Sequence, residues 1–192
     1  MSITRRAFLQ GAMLGACALP CWMMSELARS EHLQVDHVIF DARRYHALAF
    51  AETARRLGAN TCAFSSDAAQ RECRDLFVRS KTEKTALAGL TDFPSLFLLQ
   101  AMAADVGLHP VLRIHHRMRQ DMDRHEAFGL QSYRAICDAR FARRSASWAA
   151  EAAHLVLTLP ARESNAVRQA DNLREANLCV LASRALVTWV IA

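Results

Sequence analysis

One segment, residues 85–116, constrains the fold of this chain more than any other. It begins with the short apolar run Thr85–Leu90, which is typical of a strand buried on both faces of a sheet. An apolar helix, Ser95–Val106, and a second apolar strand, Val111–Ile114, follow after short joints. Two strands connected through a helix in this way run in the same direction, with a right-handed crossover. The segment therefore predicts an α/β fold.

The helix of this segment has clear start and stop signals. Thr91 or Asp92 can cap its first turn by accepting a bond from a free backbone N–H, and Pro94 fits that turn because no donor is needed there. Gly107 and Pro110 end the helix. Because the residues between these signals are apolar almost all round, we expect this helix to be buried on more than one side.

The chain before this segment alternates in the same way between strands and helices. His37–Phe40 and Thr61–Phe64 are compact apolar runs that predict strands. Arg43–Leu57 and Ala68–Val78 have the spacing and the preceding polar residues of helices. The pattern βαβαβαβ predicts a three-layer, doubly wound sheet that is mostly parallel.

The regularity fades after Ile114. His115–Glu126 is highly charged, and we expect it to be a solvated loop, whereas Ser132–Phe141 and Ser145–Leu157 are predicted helices. Leu178–Ala182 and Leu186–Ile191 are apolar and predict an antiparallel C-terminal strand or hairpin, or else a single bent strand, with the last strand inside the sheet.

Composition limits the kind of protein this can be. The chain has 192 residues, of which 52% are hydrophobic, so it can form about one domain with a full core. Its net charge is +5, but the basic residues are scattered among acids and are not interleaved with aromatic residues. Such a distribution does not favour nucleic-acid binding. We expect a leader at residues 1–25 and a single α/β domain at residues 26–192.

The leader carries the most specific motif of the chain. Thr4–Gln10 resembles the twin-arginine (Tat) export signal, on four residues: Arg5, Arg6, Phe8 and Leu9. Similarity to small Tat-exported proteins beyond the leader is no more than general. The resemblance implies recognition by the Tat translocase and export, in a folded state, to the periplasm or cell envelope.

Three fates of the leader are compatible with its sequence. The first expectation is cleavage after Ala18, which releases a soluble product. The second is lipidation at Cys17, because Leu14–Cys17 resembles a lipoprotein box. The third is an uncleaved anchor, since the uncharged run Ala7–Met24 is just long enough to cross a bilayer. The protein would contact the membrane only through an uncleaved or lipidated leader.

Four cysteines follow the leader region: Cys62, Cys73, Cys137 and Cys179. A fold completed in a reducing cytoplasm cannot depend on disulfides, and Cys62 and Cys179 lie within apolar runs. We therefore expect buried thiols; the alternative is two bridges in one of three pairings. No Cys-x-x-Cys or Cys/His metal spacing occurs among them.

A candidate site lies where the predicted strands end. In open α/β sheets, ligands bind beyond the carboxyl ends of the strands. Candidate catalytic side chains at those ends are Asp41, Ser66, Asp67, Thr91, Asp92 and His115. The competing interpretation is that several of them are helix caps, which any α/β protein has at this edge.

Metal binding is a weaker interpretation. His115 and His116, together with Asp121, Asp123, His125 and Glu126, contain suitable ligands. Adjacent histidines on a strand point to opposite faces, however, so only one of the pair can face a shared site. We favour the solvated loop and predict no metal. His46 and His154 lie on predicted helices and are expected to be packed or exposed.

Familiar catalytic and cofactor signatures are missing from the sequence. There is no Gly-x-Ser-x-Gly elbow, no Gly-rich loop after the first strand, and no cysteine pattern for an iron–sulfur cluster or haem. We therefore expect an exported, non-catalytic accessory or binding subunit without a cofactor, associated with an exported redox enzyme. The alternatives are a small periplasmic hydrolase or transferase that uses the strand-end residues, and a structural envelope protein.

Overall fold

The structure is a computed structural model that describes residues 33–65, 67–117, 124–129, 131–141, 147–160 and 185–192. Its strands are β1 (Val35–Phe40), β2 (Asn60–Ala63), β3 (Ala86–Asp92), β4 (Pro110–Arg117), β5 (Arg124–Gly129) and β6 (Leu186–Ile191). Its helices are α1 (Tyr45–Arg56), α2 (Asp67–Glu83), α3 (Phe93–Asp105), α4 (Gln131–Phe141) and α5 (Trp148–Leu157). Several predictions lie outside the described residues: the leader with Arg5, Arg6, Phe8, Leu9 and Cys17, and also Ser66, Asp121, Asp123, Cys179 and Leu178–Ala182.

The strands form one open, six-stranded sheet in the order β2-β1-β3-β6-β4-β5. The prediction of an α/β fold is therefore confirmed. β1 is parallel to both of its neighbours, whereas β6 is antiparallel to β3 and β4, and β5 is antiparallel to β4. The sheet is mixed, so the prediction that it is mostly parallel is wrong, and the doubly wound arrangement is present only in part.

The position of β6 explains the difference. β3 and β4 run in the same direction, as the strand–helix–strand segment predicts, but β6 lies between them and bonds to both. All six residues of β6 are buried, which suits a strand with neighbours on both edges and helices over both faces. The expected antiparallel C-terminal strand is thus present, and it lies inside the sheet.

Helices cover both faces of this sheet and make two cores. The first core packs α1, α4 and α5 on one face. The second packs α2 and α3 on the other. Successive strand residues alternate between them: Val38 and Phe40 belong to the first core, and Ile39 belongs to the second. The chain therefore has the three layers expected of an α/β protein.

The expectation of a solvated loop over His115–Glu126 is wrong at both of its ends. His115 and His116 are buried within β4, and Arg124–Glu126 begins β5. β5 is the edge strand beyond β4, and its residues are half-buried or exposed. Charged residues are common on edge strands because they discourage pairing with other chains. The charge of Arg124–Glu126 therefore reflects a sheet edge.

Candidate functional site

Asp41, at the end of β1, is buried and fully engaged by its neighbour. Its Oδ1 accepts hydrogen bonds from the backbone N–H and the Nε of Arg43 at 3.0 and 2.8 Å, and its Oδ2 accepts one from Arg43 Nη2 at 3.0 Å. Burial alone raises the pKa of Asp41, but the hydrogen bonds and charge of Arg43 and the charge of Arg44 outweigh it, so the pKa is lowered. Asp41 is thus a carboxylate whose two oxygens stabilise the turn before α1.

Asp92 and Thr91, at the end of β3, are also engaged within the fold. Asp92 Oδ1 accepts a hydrogen bond from the backbone N–H of Ser95 at 3.0 Å and caps α3. Its Oδ2 lies 3.4 Å from Arg43 Nη2. Thr91 Oγ1 accepts a hydrogen bond at 3.1 Å from the indole N–H of Trp189 in β6. The strand-end edge therefore joins Asp41 and Asp92 through one guanidinium.

The other strand-end candidates do not join this group. Asp67 begins α2 after β2, but the structure does not describe its side chain. His115 lies on β4, which β6 separates from β3. Chemically, the edge is a neutralised ion-pair network, and a substrate anion would have to compete with Asp41 and Asp92 for Arg43.

A second group of side chains, which we call the histidine–aromatic cluster, lies on the first-core face of the sheet. Its members come from α1, β4, β5, α4 and α5: His46, His116, His125, Phe141 and Trp148. The His116 and His46 rings stack on Trp148, with centroids 4.3 and 4.9 Å away. The His125 ring stacks on Phe141 at 4.8 Å. The cluster thus connects the far strands of the sheet to three helices.

The fully buried His116 holds this cluster together by hydrogen bonds. Its Nδ1 lies 2.7 Å from Nδ1 of His125, and its Nε2 lies 2.8 Å from Oγ1 of Thr188 in β6. Burial, followed by the charges of His125, His115 and His46, lowers the pKa of His116 well below its ordinary value. A neutral ring can either donate to His125 and accept from Thr188 or do the reverse. Both ring nitrogens of His116 therefore have hydrogen-bond partners while the ring stays neutral.

His115 points to the opposite face, as the alternation of a strand requires. Its ring lies against Phe128 of β5, with centroids 4.7 Å apart. Burial, assisted by the charges of Arg113 and Arg117, lowers the pKa of His115 to about 4, although Glu126 opposes the shift. His115 is therefore a neutral, packed imidazole at neutral pH. In the part of the chain that the structure describes, no group of three or more His, Cys, Asp or Glu side chains is placed to hold a metal ion.

The outer face of α3 is apolar and exposed. One face of the helix packs into the second core through Leu96, Leu99 and Ala103. The opposite face, which we call the α3 surface, carries no charge and consists of Pro94, Phe97, Leu98, Ala101 and Ala104. The exposed fractions of Phe97 and Leu98 are 63% and 43%. The expectation that this helix is buried on more than one side is therefore wrong.

Sequence reasoning overlooked both the cluster and the α3 surface. A signal for His116 was present, because Leu112, Ile114 and His116 alternate along β4 and extend one apolar face of the strand. Nothing in the sequence of α3 tells an outward apolar face from a buried one. His46, which was expected to be packed or exposed, is half-buried and stacks on Trp148.

Two further observations bear on function. Within the described ranges, no helix has the length and apolar character needed to cross a membrane. Comparison of the chain with models of protein families, with curated proteins and with solved structures found no significant match.

Proposed function

We propose that this chain is a non-catalytic accessory or binding subunit, exported to the periplasm or cell envelope, that docks on a partner protein through the α3 surface. The partner that best suits the leader is an exported redox enzyme, because the Tat route suits cofactor-loaded enzymes and the subunits that accompany them. The translocase itself would be a transient partner that reads Arg5 and Arg6.

The observation that carries this proposal is the continuous apolar character of the α3 surface. Its residues recur at intervals of three and four, so they form one stripe along the helix. Phe97 and Leu98 are the large exposed side chains of this stripe. Single exposed apolar residues are ordinary on soluble proteins, but a contiguous stripe is typical of an interaction site. Exposed aromatic side chains are also the residues that most often dominate binding energy at interfaces.

The chemistry of the stripe defines the partner. Because no charged side chain lies between Pro94 and Ala104, the complementary surface must be apolar, and a charged or phosphorylated partner would leave its charges unpaired. The small side chains of Ala101 and Ala104 allow close approach, while Phe97 would fill a pocket. An apolar groove on a folded protein fits these requirements best.

Native mass spectrometry tests the proposal directly. The full chain, expressed with its own leader, would be purified from periplasmic and membrane fractions, where its mass also reports cleavage, lipid or a bound group. We expect a second polypeptide at fixed stoichiometry. The change Phe97→Asp should remove that polypeptide, because it places a charge at the centre of the stripe.

A matched control comes from the other face of the sheet. Ile136 in α4 is also an exposed apolar residue, so Ile136→Asp should leave the complex intact. A partner that survives Phe97→Asp would show that the α3 surface is not the interface. A stable monomer that turns over a small molecule would refute the proposal of an accessory subunit.

The alternative, a small hydrolase or transferase with its site at the strand-end edge, has a separate test. It predicts that Asp41→Ala or Asp92→Ala abolishes activity while the fold survives. The engagement of both carboxylates by Arg43 and the backbone favours structural roles for them, and in that case the variants lose stability instead.

A further inference from the structure

Two buried thiols face each other in the second core. Cys62 lies in β2 and Cys73 lies in α2, and their Sγ atoms are 3.9 Å apart. The exposed fraction of Cys62 is 5%, and Cys73 is fully buried. Cys137 belongs to the other core and is likewise a buried thiol. Burial of these three cysteines agrees with the expectation from the sequence.

We propose that Cys62 and Cys73 are a redox pair that forms an intramolecular disulfide by exchange with a disulfide-bearing oxidant. A disulfide requires the sulfur atoms to approach to about 2.05 Å, so each side chain has to move by roughly 1 Å. The pair joins neighbouring elements on one face of the sheet, and no rearrangement of strand order is involved. This inference stands on the core geometry and is independent of the α3 surface.

The difference in exposure between the two thiols assigns their roles, and the hydrogen bond between them is compatible with that assignment. When Cys73 donates to the Cys62 sulfur, that bond lowers the pKa of Cys62, and the same bond together with burial raises the pKa of Cys73. Cys62 is also the more accessible of the two. It is therefore the thiol that attacks an external disulfide as a thiolate.

The reaction balances with a disulfide as the oxidant. Cys62 Sγ attacks one sulfur of the oxidant, breaking its S–S bond and releasing one thiol. Cys73 Sγ then attacks Cys62 Sγ in the mixed disulfide and releases the second thiol. The protein loses two protons and two electrons, and the oxidant is reduced to two thiols. A cell envelope, if the chain is exported there, supplies such disulfides, while a reducing cytoplasm leaves the pair reduced.

The bond would matter because of where the two elements lie. Among the strands that the structure describes, β2 lies at the end of the sheet and pairs with β1 alone. A disulfide would tie this strand covalently to α2 and so fix the end of β2 against the start of that helix. The oxidised protein should therefore be more stable, with a Tm that rises by about 5–10 °C and returns when a reductant is added.

The test uses the purified full chain in mixtures of reduced and oxidised glutathione. The thiols are trapped with N-ethylmaleimide in denaturant, and the chain is then cleaved with trypsin. Cleavage after arginine places Cys62 in the peptide 57–71 and Cys73 in the peptide 72–74. We expect these peptides to be joined by a disulfide, with Cys137 still alkylated.

Comparison with the unfolded chain separates a positioned pair from chance pairing. The folded protein should reach half-oxidation at a glutathione ratio that is more reducing, by on the order of ten-fold, than the ratio needed in urea. Cys137→Ser should leave the linked peptides unchanged. Glutathione attached to Cys62 without an internal bond, alkylation of both cysteines at every ratio, or oxidation that is easier in urea would each overturn the proposal.

Discussion

Mild acid should destabilise this protein because two neutral histidines are buried in β4. His115 has a pKa of about 4 in the folded state, and the pKa of His116 lies well below its ordinary value. In the unfolded chain both imidazoles would titrate near pH ~6.5. The unfolded state therefore binds more protons below this pH, and stability must fall as the pH falls.

The magnitude follows from the titration of the unfolded chain. Between pH 7 and 5.5, a histidine that stays neutral in the folded state costs about 1.2 kcal/mol of unfolding free energy, from a reference pKa of ~6.5. Both His115 and His116 stay neutral over this range, so the expected loss is about 2.5 kcal/mol. For a domain of this size, that corresponds to a fall in Tm of about 5–10 °C.

The assay is a series of urea or thermal unfolding curves at pH 7.0, 6.5, 6.0 and 5.5, followed by circular dichroism. The variant His115→Gln removes one of the two titrations and should halve the pH dependence. The matched control is His109→Gln, which removes an exposed imidazole from the loop before β4. Stability that is flat from pH 7 to 5.5, or a full slope in His115→Gln, would refute the burial of these rings.

Two other changes test the packing around β3. Gly89→Ala should lower the unfolding free energy by about 3 kcal/mol, because the new Cβ would collide with the backbone oxygen of Ile39 and with the buried indole of Trp189. Urea unfolding measures this loss, and an unfolding midpoint equal to that of the wild type would contradict it. Asp92→Ala should lower the unfolding free energy by about 1 kcal/mol, because the α3 cap is lost. Asp92→Asn retains an acceptor for the Ser95 N–H, so its unfolding free energy should stay close to that of the wild type. Equal losses in both variants would show that the ion pair with Arg43 is the stabilising contact instead.

The helices and strands in the first half of the chain can be predicted from its sequence, because the signals for each element lie within or next to that element. Asp92, Pro94 and Gly107 mark the start and end of α3, and β3 is an unbroken apolar run. β5 was not predicted as a strand, because it is short, because Arg124–Glu126 is polar, and because it lies at an edge of the sheet where one face stays partly solvated. Local signals therefore located the strands that are covered on both faces.

The order of the strands depends on contacts between residues far apart in the chain. Nothing near Leu186–Ile191 indicates that it pairs with both β3 and β4, and this pairing is what turns a parallel sheet into a mixed one. The same limit applies to the histidine–aromatic cluster, since His116, His125 and Trp148 meet only after three elements have packed. The proximity of Asp41 and Asp92 was predictable in part, because they lie at the ends of strands that pair side by side.

The central position of β6 also determines the order in which the strands can pair during synthesis. β2, β1 and β3 can pair as soon as they leave the ribosome, and β4 can pair with β5, but among the described strands only β6 pairs with both groups. Until β6 emerges, the inner edges of β3 and β4 are open and apolar, which is the condition under which nascent chains associate wrongly. The sheet therefore closes only after residue 191 has been made, and a chain that stalls earlier carries two separate half-sheets.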